Sequence, residues 1–258
     1  MKGRMGKMGS AIKSLSQQIA AGIAFYTCLP VPTDCGLKFS GIARIAPIVG
    51  LLIGGLLGIL DWGLDWVGMP PLTRSAIVVA AWVAVTGGLH LDGVMDSADG
   101  LAVTDPKRRL EVMVDSATGA FGAMAGIVVL LLKTAALSEI QIDRAFLLMA
   151  AASWGRWGQL VAIARFPYLK PTGKGAFHKA SIQSLWETLP TLLLLVGLGI
   201  FFERDRPLLA AGTILGGMTI AIFTGAWFNH KLGGQTGDTY GAIVEWTEAL
   251  LLCLLTVF

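Results

Sequence analysis

The sequence predicts an all-α integral membrane protein, a polytopic helical bundle of about seven spans. Three observations carry that prediction. The chain is 54% hydrophobic, it is only 14% charged, and it holds 33 glycines among 258 residues. A soluble domain carries roughly 25% charged residues, so a chain this poor in charge has too little polar surface to face water. Lipid removes the shortage, and helices satisfy their own backbone polar groups there. Glycine fits the same picture, because small residues let helices approach closely where lipid supplies no hydrophobic drive. Mean hydropathy is +0.68.

A membrane-crossing helix needs about 20 mostly apolar residues. Seven stretches come near that length: 45–66, 75–91, 119–137, 146–164, 185–202, 208–228 and 243–258. An eighth stretch, 19–32, is shorter and contains Pro30 and Pro32, so it reads as an interfacial or re-entrant piece. Gly50, Gly54 and Gly58 recur every four residues, as do Gly212 and Gly216, which makes one close-packing stripe on each helix. A flexible, substrate-lining face is the alternative for these stripes. No repeat suggests a duplicated architecture, and residues 1–258 read as one transmembrane catalytic domain.

Positive charge sets the sidedness. With 19–32 not crossing, one side receives the basic N-terminus (Lys2, Arg4, Lys7, Lys13), Lys38, Arg44, Lys107, Arg108, Arg109, Arg165, Lys170, Lys174, Lys179 and Lys231. The other keeps Arg74, Arg144, Arg204 and Arg206. The positive-inside rule makes the first side cytoplasmic. No short apolar run with a small-residue cleavage site follows the basic N-terminus, which reads as retained cytoplasmic sequence. Lys133 and Arg156 fall inside spans, where snorkelling suits the first and a site carboxylate suits the second. The net charge of +3 is modest, and no nucleic-acid partner is expected. Cys28, Cys35 and Cys253 show no C-x-x-C spacing, which argues against a zinc site or a disulfide framework.

This topology collects the three loops richest in polar residues, 92–118, 165–184 and 229–241, on the cytoplasmic face. The chemistry concentrates in 87–100, Gly-Gly-Leu-His-Leu-Asp-Gly-Val-Met-Asp-Ser-Ala-Asp-Gly. Asp92, Asp96 and Asp99 lie within about 60° of arc on a helix turning 100° per residue. An unpaired Asp at mid-membrane costs roughly 2.5 to 3.5 kcal/mol, so three together want divalent cations and a watery position at the membrane edge. Oxygen-only ligation suits Mg²⁺, which commonly pairs carboxylates with substrate phosphates. The bland reading is a solvated loop with capping aspartates. His90 falls on nearly the opposite side of such a helix, as an acid–base or as a hydrogen-bonded structural group. Arg108 and Arg109 suit phosphate oxygens, and equally serve as positive-inside charge. Asp115 is a base, a further metal ligand, or an N-cap of the third span. In 232–241, Leu-Gly-Gly-Gln-Thr-Gly-Asp-Thr-Tyr-Gly, glycines before a helix start can present N–H groups to an anion, and Asp238 adds a carboxylate. A plain turn capped by Asp238 is the alternative.

Together these stretches resemble the cobalamin synthase family. Its Gly-Gly-x-His-Leu-Asp-Gly-x-x-Asp-Thr-x-Asp-Gly signature is matched by 87–100 with Ser97 for threonine. Its Arg-x-Leu-Glu-(Ile/Val)-Met-x-Asp-Ser stretch is matched by 108–116, and its Leu-Gly-Gly-Gln-Thr-Gly-Asp-Thr-x-Gly-Ala stretch by 232–242. Leu29-Pro30-Val31-Pro32 also corresponds, so the resemblance covers essentially the whole chain. Cys28 stands where the family usually has arginine, and Val114 where many members carry a basic residue. If those basic residues bind phosphate elsewhere in the family, that contact is either absent here or supplied by Arg44 or Arg109. The resemblance implies a Mg²⁺-dependent transferase of the inner membrane. It would join adenosylcobinamide-GDP to α-ribazole or α-ribazole 5′-phosphate, releasing GMP, with other corrin-assembly enzymes as possible associates in the lipid bilayer. Asp92, Asp96 and Asp99 would hold the metal. Asp115 or Asp238 would orient or deprotonate the attacking hydroxyl, with His90 a further acid–base candidate. Arg108, Arg109, Gln235 and Thr236 would contact substrate.

Two rivals remain. A CDP-alcohol phosphotransferase also uses spaced aspartates at a membrane site, but its Asp-Gly-x-x-Ala-Arg start is broken by Asp92-Gly93-Val94-Met95-Asp96. A cation transporter also places charge in spans, but its carboxylates belong near mid-membrane on discontinuous helices.

Overall fold

The computed structural model describes the backbone of residues 2–32, 36–170 and 172–258, with side chains from residue 14 onward except Lys174. Cys35 and the side chains of Lys2, Arg4, Lys7, Lys13 and Lys174 therefore lie outside the described set. The architecture is all-α as expected: there is no strand among the described residues, only an isolated parallel bridge between Tyr168 and Gln235.

Helix α1 (Lys2–Tyr26) leads through an extended stretch and a 3₁₀ turn, Ile42–Ile45, into α2 (Ala46–Trp66). Then come α3 (Pro71–Thr86), α4 (Leu89–Ala102), the short α5 (Arg109–Val112), α6 (Ala120–Glu139) and α7 (Arg144–Arg165). Helix α8 (Lys174–Ser181), α9 (Leu189–Phe202), α10 (Pro207–Ala211), α11 (Gly217–Leu232) and α12 (Gly237–Leu255) complete the chain, with a π-helical turn at Gly212–Gly216 joining α10 to α11. The stretch 19–32 is thus no separate element. It is the last two turns of α1 followed by non-helical chain.

Among the described residues, four helical stretches are long and apolar enough to cross a membrane: Ile42–Trp66, Ala120–Glu139, Leu185–Phe202 and Pro207–Leu232. A fifth is reached if α3 and α4, bent by 90°, count as one. The expected count of about seven is not reached by this criterion, for a physical reason. Helices α7 and α12 are long, but they carry Arg156, Glu245 and Glu248 and run through the middle of the bundle, where almost every residue is buried. Helices walled off by other helices do not need an apolar surface.

The glycine stripe of α2 packs against α7. A Cβ on Gly50 would lie 2.6 Å from the Ala152 carbonyl oxygen, and one on Gly58 2.8 Å from the Ala145 Cβ. Outward faces are apolar, with Leu131, Leu193, Ile200, Phe201 and Phe223 exposed. Trp62 and Trp66 mark one end of this band and Trp186 the other, as interfacial tryptophans do.

Lys133 does not snorkel. It bonds Glu245 at 2.6 Å, bonds Glu248, and stands 4.3 Å over the Trp82 ring. Arg156 bonds Glu248 at 2.9 Å rather than a carboxylate of the acidic segment. At the opposite end of the bundle from the acidic segment, Arg144 grips Asp61 through two bonds of 2.9 and 2.6 Å, and Arg74 joins them.

Candidate active site

The expected span 75–91 is interrupted where the chemistry begins. Gly87 and Gly88 both adopt left-handed backbone, with φ of 60° and 69°, and the chain turns 90° into α4. Residues with a Cβ avoid this region, so a Gly-Gly pair is what permits the corner. Cys28 sits beside it, its N–H donating to the Val85 carbonyl at 2.7 Å, while Val114 is exposed. Arg44 is held by Glu187 and by the Ser181 carbonyl. Arg109 donates to the carbonyls of Val103 and Lys231. Both arginines are thus engaged by groups of the protein itself.

The three aspartates share α4 but not one task. Asp99 accepts the backbone N–H groups of Gly119 and Gly122 at 2.7 and 2.8 Å, which makes it a cap for the start of α6. Asp92 is exposed and Asp96 half-buried, and the charges of Asp92, Asp238, Lys170 and Asp99 all act on the Asp96 carboxylate. Asp238 comes from the first turn of α12. It pairs with Lys170 at 2.9 Å and accepts from the Thr236 hydroxyl at 3.2 Å. Two carboxylates of α4 and one from more than a hundred residues later thus face each other beside a lysine.

Local packing brings this about. Helices α4 and α12 meet at glycines: a Cβ on Gly241 would lie 3.1 Å from the His90 Cα, and one on Gly93 3.2 Å from the Asp238 Cα. The start of α12 is fixed by a capping box between Thr236 and Thr239. Gln235, fully buried, donates to the Gly225 carbonyl at 2.8 Å and accepts from the Thr239 hydroxyl at 2.7 Å. Gln235 and Thr236, expected at the substrate, therefore hold their own loop. The expected anion cradle is also largely taken. The Thr236 N–H goes to Thr239 Oγ1, and the Thr239 N–H to Thr236 Oγ1.

Between α4, α7, α12 and the loop after α7 lies a cavity of about 300 Å³. Of the residues singled out from the sequence, His90, Asp92 and Asp238 line it; Asp96, Asp99, Arg108, Arg109, Asp115, Gln235 and Thr236 do not. Arg108 and Asp115 are exposed, and Asp115 caps a turn through the Ala117 N–H at 3.1 Å. Sequence reasoning missed Gln159, Lys170, His178 and Tyr240. Lys170 and His178 fall in the polar loop 165–184, and a glutamine three residues after Arg156 in an apolar span was a signal available for Gln159. His90 is buried with no partner for either ring nitrogen within the protein, so the hydrogen-bonded structural reading fails for it. Burial pushes the His178 imidazole down to about 4, so it is neutral near pH 7.

The donor set was tested for Mg²⁺. Among the described residues, no three His, Cys, Asp or Glu side chains are arranged to hold an ion by themselves. Magnesium does not require that, since it commonly takes one or two carboxylates and completes its shell with substrate phosphates and water. Asp92, exposed and lining the cavity, and Asp96, half-buried one turn further along α4, offer only oxygen and fit that pattern.

The family model for cobalamin-5-phosphate synthase matches residues 18–256. A protein of Trichormus variabilis called adenosylcobinamide-GDP ribazoletransferase is 59% identical over 95% of this chain and 99% of its own length. Proteins of the same name from Synechococcus sp. and Thermosynechococcus vestitus are each 49% identical over 95% of this chain and 98% of theirs. No solved structure matches.

Proposed function

The chain belongs to the cobalamin-5-phosphate synthase family, and on that premise we propose that it joins adenosylcobinamide-GDP to α-ribazole or its 5′-phosphate at the cytoplasmic face of the inner membrane. A ribose hydroxyl of the ribazole forms a new O–P bond at the phosphorus carrying the cobinamide arm. The phosphoanhydride bond breaks, GMP leaves, and the hydroxyl proton passes to a carboxylate or water. The product is adenosylcobalamin or its 5′-phosphate.

One observation carries the reading: Asp92 lines a cavity together with Asp238 and Lys170, and the Asp96 carboxylate, one turn along α4, feels the charges of all three. Bound Mg²⁺ would neutralise charge building on the leaving phosphate. Asp92 and Asp96 would hold it. Asp99 fixes the start of α6, and with it the end of α4 from which Asp96 projects. Lys170 pairs with Asp238 and orients it, which suits Asp238 rather than Asp115 for taking or directing the hydroxyl proton. Lys170 also brings the positive charge nearest the diphosphate.

The test is turnover by detergent-purified protein given adenosylcobinamide-GDP, α-ribazole and Mg²⁺, with a chelator control and Asp96→Asn alongside. Cobalamin and GMP should form together, stop on chelation, return with Mg²⁺, and be lost in the variant. Near-normal turnover by Asp96→Asn would sink the metal assignment. Absence of product from well-folded protein would sink the reaction.

A further inference from the structure

Exposure falls steeply along the cavity. Asp92, Lys170 and Asp238 at its mouth are exposed or half-buried, whereas His90, Gln159, His178 and Tyr240 are all 5% exposed or less. The floor is aromatic as well as polar. Phe25, in the lining, meets His178 edge-on at 4.9 Å, and behind the lining Tyr26 runs near-parallel to both imidazoles, at 6.2 Å and 25° from His90 and at 6.1 Å and 12° from His178. Both ring nitrogens of His90 and of His178, Oε1 of Gln159, and the hydroxyls of Tyr26 and Tyr240 find no partner within the protein. Such a concentration of unpaired buried donors and acceptors is rare in a folded chain and calls for a ligand rich in both.

We propose that this floor binds the guanine base of the activated nucleotide, with its phosphates reaching up to the carboxylates at the mouth. The assignment rests on the reaction proposed above, which brings three nitrogenous bases to the site: guanine, the benzimidazole of α-ribazole, and the adenine of the adenosyl group, whose one exocyclic amine and ring acceptors offer no adjacent pair of donors. The benzimidazole of α-ribazole offers one free ring nitrogen and an otherwise apolar edge. Buried here, it would leave most of the floor unpaired. Guanine offers N1–H and the 2-amino group as donors, and O6 and N7 as acceptors. Gln159 Oε1 accepts from the first pair, the imidazole N–H groups donate to the second, and the flat base lies against the aromatic rings.

The secondary structure supports this polarity of binding. Helix α4 carries Asp92 at the mouth and His90 at the floor, two residues apart, and α12 carries Asp238 and Tyr240 in the same relation. A nucleotide lying in the cavity alongside the two packed helices would meet rings at one end and carboxylates at the other.

The test compares GMP with IMP, which lacks the 2-amino group, by calorimetry on the full detergent-solubilised chain without other substrates. Wild type should bind GMP about 10-fold or more tighter than IMP, the effect of one buried hydrogen bond. Gln159→Leu should collapse that ratio toward one and leave the KM for α-ribazole unchanged. His178→Phe should weaken GMP and IMP alike, which keeps the floor testable should Gln159→Leu fail to fold. Equal binding of GMP and IMP by wild type overturns the assignment. So does a Gln159→Leu protein that keeps its preference for GMP but has a raised KM for α-ribazole. Binding is read without turnover, so selective GMP binding with no transfer product would count against the reaction alone, and turnover without base discrimination against the guanine site alone.

Discussion

Replacing Gly93 by alanine tests whether the closeness of α4 and α12 is what builds the site. A Cβ there would stand 3.2 Å from both the carbonyl carbon and the Cα of Asp238 and nearer still to its oxygen, where an ordinary contact begins at 3.4 Å. The obstacle is backbone, not the end of a flexible side chain, so the helices must part, by about 1 Å to restore normal contact. Overpacking of this kind costs about 1–3 kcal/mol. The functional cost is larger, because Asp92 and Asp96 then withdraw from Asp238, and a 1 Å misplacement in an active site costs roughly 10²-fold. Gly93→Ala should therefore lose on the order of 10² in kcat/KM while melting only several degrees lower. The assay follows corrinoid product by chromatography, with thermal denaturation in the same detergent. Gly197→Ala is the control, since nothing lies within 4 Å of a Cβ there. Gly93→Ala with wild-type turnover would refute the claim that the helix crossing sets the carboxylate geometry.

The remaining predictions concern the rest of the bundle. Lys133→Met leaves Glu245 and Glu248 buried with one cation between them, and should destabilise by about 3–5 kcal/mol in thermal denaturation. Adding Glu245→Gln should recover most of that stability, because a neutral Arg156–Glu248 pair then remains. Arg144→Met, which strips Asp61 of two bonds at the far end of the bundle, should cost a similar amount but leave the KM of the folded protein unchanged. His178, held near 4 by burial against an ordinary 6.5, stays neutral in the folded state while the unfolded chain takes up a proton. Its contribution is complete above about pH 6.5 and is lost as pH falls toward 4. Melting temperature should drop less steeply over that window in His178→Phe than in wild type.

Much of this was legible in the sequence, because hydrophobic runs report helices. The stretches 45–66, 119–137 and 146–164 all lie within or along observed helices. Hydropathy failed at 75–91, where an apolar run continues through a corner made by two glycines. The Gly87-Gly88 pair itself was the warning. Spacing correctly placed Asp92, Asp96 and Asp99 along one helix, but it does not report neighbours, and α6 claims Asp99 through backbone groups of Gly119 and Gly122. The same blindness hid the bonds by which Gln235 and Thr236 hold their own loop. Lys133 could not be paired with Glu245 and Glu248 by any local pattern, since more than a hundred residues separate them.

That distant pairing bears on why a membrane protein would keep four charges in its core. Breaking such a group strands a buried charge, so its geometry is strongly specified even where its net contribution to stability is small. Glu245 and Glu248 lie seven and ten residues beyond Asp238, about 10 and 15 Å along α12. With Lys133 on α6 and Arg156 on α7, they lock the axial position of α12 against two neighbours. A slip of α12 by one turn would carry Asp238 about 5.4 Å from its place opposite α4 and would separate both glutamates from their cations. Apolar packing alone discriminates weakly against such a slip in lipid, because one leucine-lined turn resembles the next. The buried ions make the register of α12 costly to change, and the register of α12 is what brings Asp238 to Asp92 and Asp96.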